Sequence, residues 1–143
     1  MSSSVGNTPK ESRNLMPKVV QTAGRDALGT FAPQFGALND DVLFGEVWSN
    51  DDLTLKIRSI LTVTTLVSKG MADTSFEHHV ANAKKNGVSA REMAAILTHV
   101  AFYAGWPNAW AAFRVVLKVY ADDPLDLENP EAHGGIFGLG DPN

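Results

Sequence analysis

The sequence predicts an all-α protein, a helical bundle of roughly six helices. Apolar residues recur every three to four positions through most of the chain, and no segment alternates with the period of a β-strand. Polar capping residues and glycines divide this pattern into helix-length segments. At 143 residues the chain has the length of a single domain with a substantial core. We expect a flexible N-terminal segment over residues 1–14, a helical domain over 15–121 and an irregular tail over 122–143.

The first two helices are predicted from apolar spacing. One begins near Pro17, because proline suits the first turn of a helix, and carries Leu15, Val19, Ala23 and Ala27 at helical spacing. The next covers about Phe35 to Trp48 and ends at the polar run of residues 49–52. Its predicted inward-facing side chains are Phe35, Leu38, Val42, Leu43 and Val47.

Local capping signals define the remaining four helices. The third runs from Leu53 to Lys69 before Gly70, with an apolar stripe of Leu53, Ile57, Ile60, Leu61, Thr64 and Val67. The residues from Thr74 to Glu77 have the capping-box form and predict a fourth helix that stops at Gly87. Ser89 to Glu92 repeats that form and opens a fifth helix, which Gly105 ends. Its apolar positions are Met93, Ile96, Leu97, Val100 and Ala104, and Pro107 favours the start of a sixth helix that continues through Tyr120.

Composition excludes several classes of function. The 12 basic and 16 acidic residues give a net charge of -4 without a basic cluster, so we expect no nucleic-acid partner. No apolar run is long enough to span a bilayer and the N-terminus does not have the form of a secretory signal, so we expect no membrane partner and a cytoplasmic location. The chain has no cysteine, which excludes disulfides and thiolate chemistry. The third and fifth helices are apolar on nearly all sides, which predicts association of subunits into a homo-oligomer.

Two histidines and one carboxylate are candidate catalytic groups. His79 lies on the apolar side of the fourth helix with Phe76 and Ala83, while His78 is expected at the surface. His99 lies among apolar neighbours and is expected to be buried, with structural and functional roles both open. An imidazole exchanges protons near neutral pH without large tuning of its pKa. Glu46 lies in an apolar segment, where a carboxylate either serves a site or is simply exposed at a helix end.

A cation and several aromatic residues are candidates for substrate binding. Arg58, on an otherwise apolar helix, either holds a substrate carboxylate or forms a salt bridge with Glu46 or Glu92. The aromatic candidates either pack in a core or an interface or form the wall of a pocket. They are Trp48, Phe102, Tyr103 and Trp106. We expect no metal; the alternative, a two-histidine, one-carboxylate site of His79, His99 and Glu46, lacks a short-range ligand spacing.

Four segments together resemble the carboxymuconolactone decarboxylase family, within the alkylhydroperoxidase D-like superfamily. They are Phe44 to Trp48, Leu53 to Arg58, His79 with Asn86 to Val88, and His99 to Pro107. The resemblance covers about Phe35 to Tyr120 and depends on the order and spacing of the segments. It implies an all-α subunit that assembles into trimers or hexamers, with sites near subunit contacts. In the redox branch of the superfamily a Cys-x-x-Cys pair precedes a histidine, and this chain has Ala72 and Ser75 at the matching positions, so peroxide reduction by that route is excluded.

The resemblance implies a decarboxylase of the 4-carboxymuconolactone type, which needs no cofactor and acts in the catabolism of aromatic compounds. The implied substrate is a small carboxylated lactone. The expected roles are Arg58 for a spectator carboxylate, His99 or Tyr103 as donors to the developing dienolate oxygen, and His79, poised by Glu46, as the acid that protonates carbon. Two alternatives stay open: a non-catalytic oligomeric binder of a small carboxylate, and a related enzyme that acts on a different lactone or keto acid.

Overall fold

The computed structural model describes residues 18–123, and this part of the chain contains six α-helices, one π-helix and no strand. The predicted all-α class is therefore confirmed. The predicted N-terminal segment 1–14 lies outside the described residues, as does the predicted tail 122–143 apart from residues 122 and 123. The chain divides into two compact units, one ending at Arg58 and the other beginning at Ser59. The helices are α1 (Ala23–Leu28), α2 (Pro33–Ala37), the π-helix (Leu38–Trp48), α3 (Leu55–Ser68), α4 (Thr74–Lys85), α5 (Ala90–Ala104) and α6 (Trp106–Val119).

The first unit is organised around the buried carboxylate of Asp40. Its Oδ1 accepts a hydrogen bond from the Gly24 N–H at 2.8 Å, and its Oδ2 accepts one from the Arg25 N–H at 2.9 Å. These donors lie in the first turn of α1, where backbone N–H groups have no partner inside the helix. Thr22 immediately before the helix makes no side-chain cap, so Asp40, sixteen residues from Gly24, takes that function.

Hydrogen bonds and a nearby cation keep Asp40 ionised. Burial by itself raises the pKa of this carboxyl, but donors from Asn39, Arg25 and Gly24, together with the charge of Arg25, outweigh burial and lower the pKa. The Arg25 guanidinium lies 3.5 Å from Asp40 and also pairs with Asp41.

Two glycines let α1 and α2 approach each other closely. A Cβ atom on Gly24 would lie 2.7 Å from both Asp40 Oδ1 and the Gly36 carbonyl oxygen, and one on Gly36 would lie 2.9 Å from the Gly24 carbonyl oxygen. Both distances are shorter than van der Waals contact allows. The capping of α1 by Asp40 therefore requires glycine at position 24.

Two sequence predictions in the first unit are wrong. The first helix begins at Ala23 and not near Pro17, and residues 18–22 are not helical. The second predicted helix is divided into α2 and the π-helix, whose i→i+5 hydrogen bonds change which residues share a face. The five side chains predicted to face inward are all at least 38% exposed: Phe35, Leu38, Val42, Leu43 and Val47.

The core of the second unit is built from side chains of α3, α4, α5 and α6. Its largest fully buried side chains include Phe76, Met93, Leu97, Val63 and Val80. On α3 the buried residues are Ser59, Val63 and Val67. Half of the predicted stripe is therefore correct, since Val67 is buried and Ile60 and Thr64 are half-buried, while Leu53, Ile57 and Leu61 are exposed. None of the helices between residues 18 and 123 is long and apolar enough to cross a bilayer.

The helix ends of the second unit follow local sequence signals closely. Ser89 and Glu92 form the predicted capping box at the start of α5, and Gly105 ends that helix with a φ of 99° that favours glycine. At the start of α4 the cap is Asp73, whose side chain accepts from the Phe76 N–H at 3.1 Å. The prediction that Thr74 opens this helix as its cap is wrong by one residue.

Tyr120 attaches the end of α6 to the turn between α4 and α5. Its hydroxyl donates to the buried Val88 carbonyl oxygen at 2.8 Å, and burial, with smaller effects of Asp123 and Glu92, raises its pKa to about 12. Lys84 lies 5.5 Å from the centre of the Tyr120 ring, donates to the Val119 carbonyl oxygen at 3.2 Å and pairs with Asp123 at 3.1 Å.

We predict that Tyr120→Phe lowers the free energy of unfolding by about 1–2 kcal/mol, because the Val88 carbonyl loses a buried hydrogen bond. The matched control is Tyr103→Phe, at the other tyrosine of the chain, which is 82% exposed and should change stability by less than about 0.5 kcal/mol. Urea unfolding measures both variants. Equal effects of the two substitutions would contradict this role of Tyr120.

Candidate functional site

His79 is the candidate site residue with the most distinctive environment. It lies on α4 three residues after the buried Phe76 and four before the buried Ala83, as the sequence predicts. The ring is half-buried, and its Nδ1 is shielded from solvent without a hydrogen-bond partner within residues 18–123. His78, the next residue toward the N-terminus, is exposed. Helical geometry therefore gives two adjacent histidines different environments.

Burial lowers the pKa of His79, and the nearby charge of His78 lowers it further. The imidazole is therefore neutral at pH 7, and its protonated form is a stronger acid than an exposed imidazolium. A buried nitrogen without a partner costs free energy unless a ligand or water supplies a hydrogen bond. These properties suit a group that exchanges a proton with a bound molecule.

His99 and Tyr103 form a pair of rings on the surface of α5. Their ring centres lie 5.1 Å apart, one helical turn from each other. His99 is exposed and Tyr103 is 82% exposed, so the prediction that His99 is buried is wrong for the described chain. It failed because α5 is apolar on several sides, and its buried residues are Met93, Leu97, Val100 and Ala101.

Aromatic side chains continue from α5 onto α6. Phe102 and Trp106 meet edge to face with ring centres 5.6 Å apart, and they are 77% and 55% exposed. Beside them a groove of about 340 Å³ lies between α5 and α6. Its lining includes Thr98, Ala101, Trp106, Trp110, Phe113 and Leu117.

Three of the eight candidate residues belong to the first unit, whereas both candidate histidines belong to the second. Trp48 is buried and stacks on Phe44 with ring centres 5.7 Å apart, which fits its structural reading. Glu46 is exposed on the π-helix, and the Arg58 guanidinium donates to the Asn50 carbonyl oxygen at 2.9 Å. The functional roles expected for Glu46 and Arg58 stay predictions.

Beside the selected Trp106, α6 carries two residues that were not selected from the sequence, Trp110 in the groove and Arg114 in an adjoining depression. Trp106, Trp110 and Arg114 recur every four residues, and this spacing places them along one side of the helix. The periodicity is visible in the sequence, but it equally describes a core stripe. Across residues 18–123, no group of three His, Asp or Glu side chains is arranged to hold a metal ion.

Comparison with known proteins relates this chain to one family. The model of the carboxymuconolactone decarboxylase family matches residues 33–118, which include parts of both units and all eight candidate residues. The chain is 30% identical to a 4-carboxymuconolactone decarboxylase of Acinetobacter baylyi over 95 residues. That alignment covers 66% of this chain and 70% of the relative.

We predict that His79 makes the protein less stable as the pH falls from 7.5 to 5.5. Its pKa in the folded state is below the ordinary value of 6.5, so the unfolded chain binds the proton first and gains free energy. In His79→Asn this part of the acid destabilisation should be absent, whereas His78→Asn should retain it. Urea midpoints measured across this pH range provide the test. Parallel curves for the wild type and His79→Asn would contradict the lowered pKa.

Proposed function

The chain belongs to the carboxymuconolactone decarboxylase family, and we propose that it is a cofactor-independent decarboxylase of the 4-carboxymuconolactone type. The observation that carries the proposal is the half-buried His79, whose Nδ1 lacks a partner among the described residues and whose pKa is lowered. The named activity of the Acinetobacter baylyi relative supports the choice of substrate class. The proposed substrate is a small unsaturated lactone that carries a carboxylate.

The proposed reaction exchanges a carboxylate for a proton. The bond between the ring carbon and the carboxylate breaks, carbon dioxide leaves, and the electron pair moves into the conjugated lactone carbonyl as a dienolate. His79, which is neutral at rest, takes up a proton from solvent, and the resulting imidazolium donates this proton to carbon, which gives the enol-lactone and returns the imidazole to its neutral form. A lowered pKa makes that imidazolium a stronger acid, which favours the transfer.

The dienolate oxygen needs hydrogen-bond donors while its charge develops. We assign this role to the His99 and Tyr103 pair, whose polar atoms lie on one side of α5. On a single chain both side chains are exposed, so water would compete for these hydrogen bonds. We therefore propose that a second subunit covers this surface, which would strengthen the hydrogen bonds.

We further propose that the protein is a homo-oligomer, a trimer or a hexamer. Large apolar side chains are exposed in both units, and such surface is typical of subunit contacts. Examples are Phe31, Phe35, Leu61, Phe102 and Tyr103.

We predict that light scattering coupled to gel filtration gives a mass of three or six times the chain mass of 15.4 kDa. Exposed aromatic and aliphatic surface provides the free energy for this association. The measurement should be repeated over a hundredfold range of protein concentration, because association depends on concentration. A mass of 15.4 kDa at every concentration would exclude the proposed assembly.

A second candidate function is non-catalytic binding of a small carboxylate. The exposure of Glu46 and His99 in the described chain favours it, since both side chains face solvent on a single chain. A thiol-dependent redox function is not supported, because the chain has no cysteine.

We predict that His79→Asn lowers kcat for 4-carboxymuconolactone by at least about 100-fold, because the proton donor is lost. The matched control is His78→Asn, which removes an exposed imidazole from the adjacent position and should keep kcat within about threefold. Loss of the substrate's ultraviolet absorbance and release of carbon dioxide measure turnover. Undiminished turnover by His79→Asn would remove His79 from the mechanism, and binding without any turnover by the wild type would favour the second candidate function.

A further inference from the structure

The groove between α5 and α6 continues into a second depression that carries a positive charge. This depression has a volume of about 450 Å³ and is lined by Trp106, Pro107, Trp110 and Arg114. The two hollows share Trp106 and Trp110. We propose that together they form a binding site for a small ring-containing carboxylate, with the ring beside the two tryptophans and the carboxylate on Arg114.

The lining of the groove fits an apolar body. Its hydroxyl-bearing residue, Thr98, already donates to the Ala94 carbonyl oxygen at 2.7 Å, so the hydroxyl does not require a polar partner from a ligand. The other lining side chains are aliphatic or aromatic. A volume of about 340 Å³ lies at the small end of the usual range for ligand pockets, which fits one ring better than an extended chain.

The charge of Arg114 selects the polar end of the ligand. One turn further along α6, Lys118 is occupied by Glu77, with Nζ and Oε1 2.7 Å apart. Arg114, in contrast, has no carboxylate within ion-pair distance in the described part of the chain. A guanidinium stacks on aromatic rings and binds a carboxylate through two parallel hydrogen bonds. In this depression the Arg114 guanidinium lies beside two tryptophans and is available to a ligand carboxylate.

This site is separate from the proposed proton-transfer residues. Thr98 and Ala101 face the groove, while the intervening position of His99 is rotated by about 100° from Thr98 around α5. Neither His79 nor His99 lines the groove or the adjoining depression. The proposal therefore does not depend on decarboxylase activity.

The test is titration of the full-length protein with benzoate, followed by intrinsic tryptophan fluorescence. Two of the three tryptophans line the site, and the third, Trp48, is buried in the first unit. Benzamide serves as the neutral ligand of nearly the same shape. Arg114→Gln should weaken benzoate binding by about tenfold, and Arg114→Lys, which keeps the charge, by no more than about threefold. Neither substitution should change the affinity for benzamide.

Three outcomes would overturn the proposal. One is equal affinity of the wild type for benzoate and benzamide, and another is unchanged benzoate binding by Arg114→Gln. The third combines two results: iodide fails to quench the fluorescence of Trp106 and Trp110 in the native protein, and Trp110→Glu dissociates the oligomer. Together these results would make the groove a subunit interface. Far-UV circular dichroism and urea midpoints confirm that each variant is folded. Benzoate binding should also be retained in His79→Asn, so that failure of the proposed decarboxylase function is distinguishable from failure of this site.

Discussion

The distribution of large apolar side chains is the constraint on which the rest of this structure depends. The core of the second unit includes valines, alanines, Phe76, Met93 and Leu97, while most tryptophans and several other aromatic residues lie outside it. Ala101 of α5 and Ala109 of α6 are buried and line the groove between the two helices, where their small side chains allow close packing. Several bulky side chains of α5 and α6 therefore remain at the surface. Phe102 and Tyr103 belong to the proposed subunit contacts, and Trp106 and Trp110 belong to the proposed carboxylate site.

Burial also separates the chemical properties of the three described histidines. His78 and His99 are exposed, whereas His79 is half-buried and burial lowers its pKa. In that position its Nδ1 is shielded from solvent and has no hydrogen-bond partner among residues 18–123, which costs free energy. A ligand that supplies a hydrogen bond would recover this free energy, so the same feature that disfavours His79 in the empty protein would favour binding of a substrate.

Sequence patterns predicted local features of this fold better than they predicted its packing. Ser89, Gly105 and Pro107 set helix ends through hydrogen bonds and backbone angles that involve neighbouring residues, and their predicted positions agree with the structure. The stripe predicted on α3 was only half correct because apolar and small residues surround that helix, so periodicity did not identify the buried side that contains Ser59 and Val63. The error at His99 has the same cause. The expectation that His79 lies on an inward side held because charged and polar residues occupy the rest of α4 and define a single apolar side.

The sequence by itself determined the all-α class, several helix boundaries, the family and the exclusion of thiol chemistry, because composition, caps and ordered motifs are properties of residues near one another in the chain. Only the tertiary structure decided that Asp40 caps α1, that His79 is half-buried, and that a groove opens between α5 and α6. Each of these depends on residues from separate helices meeting in space. Helical periodicity specifies which residues share a side of a helix, but the packing of other helices decides which side is covered.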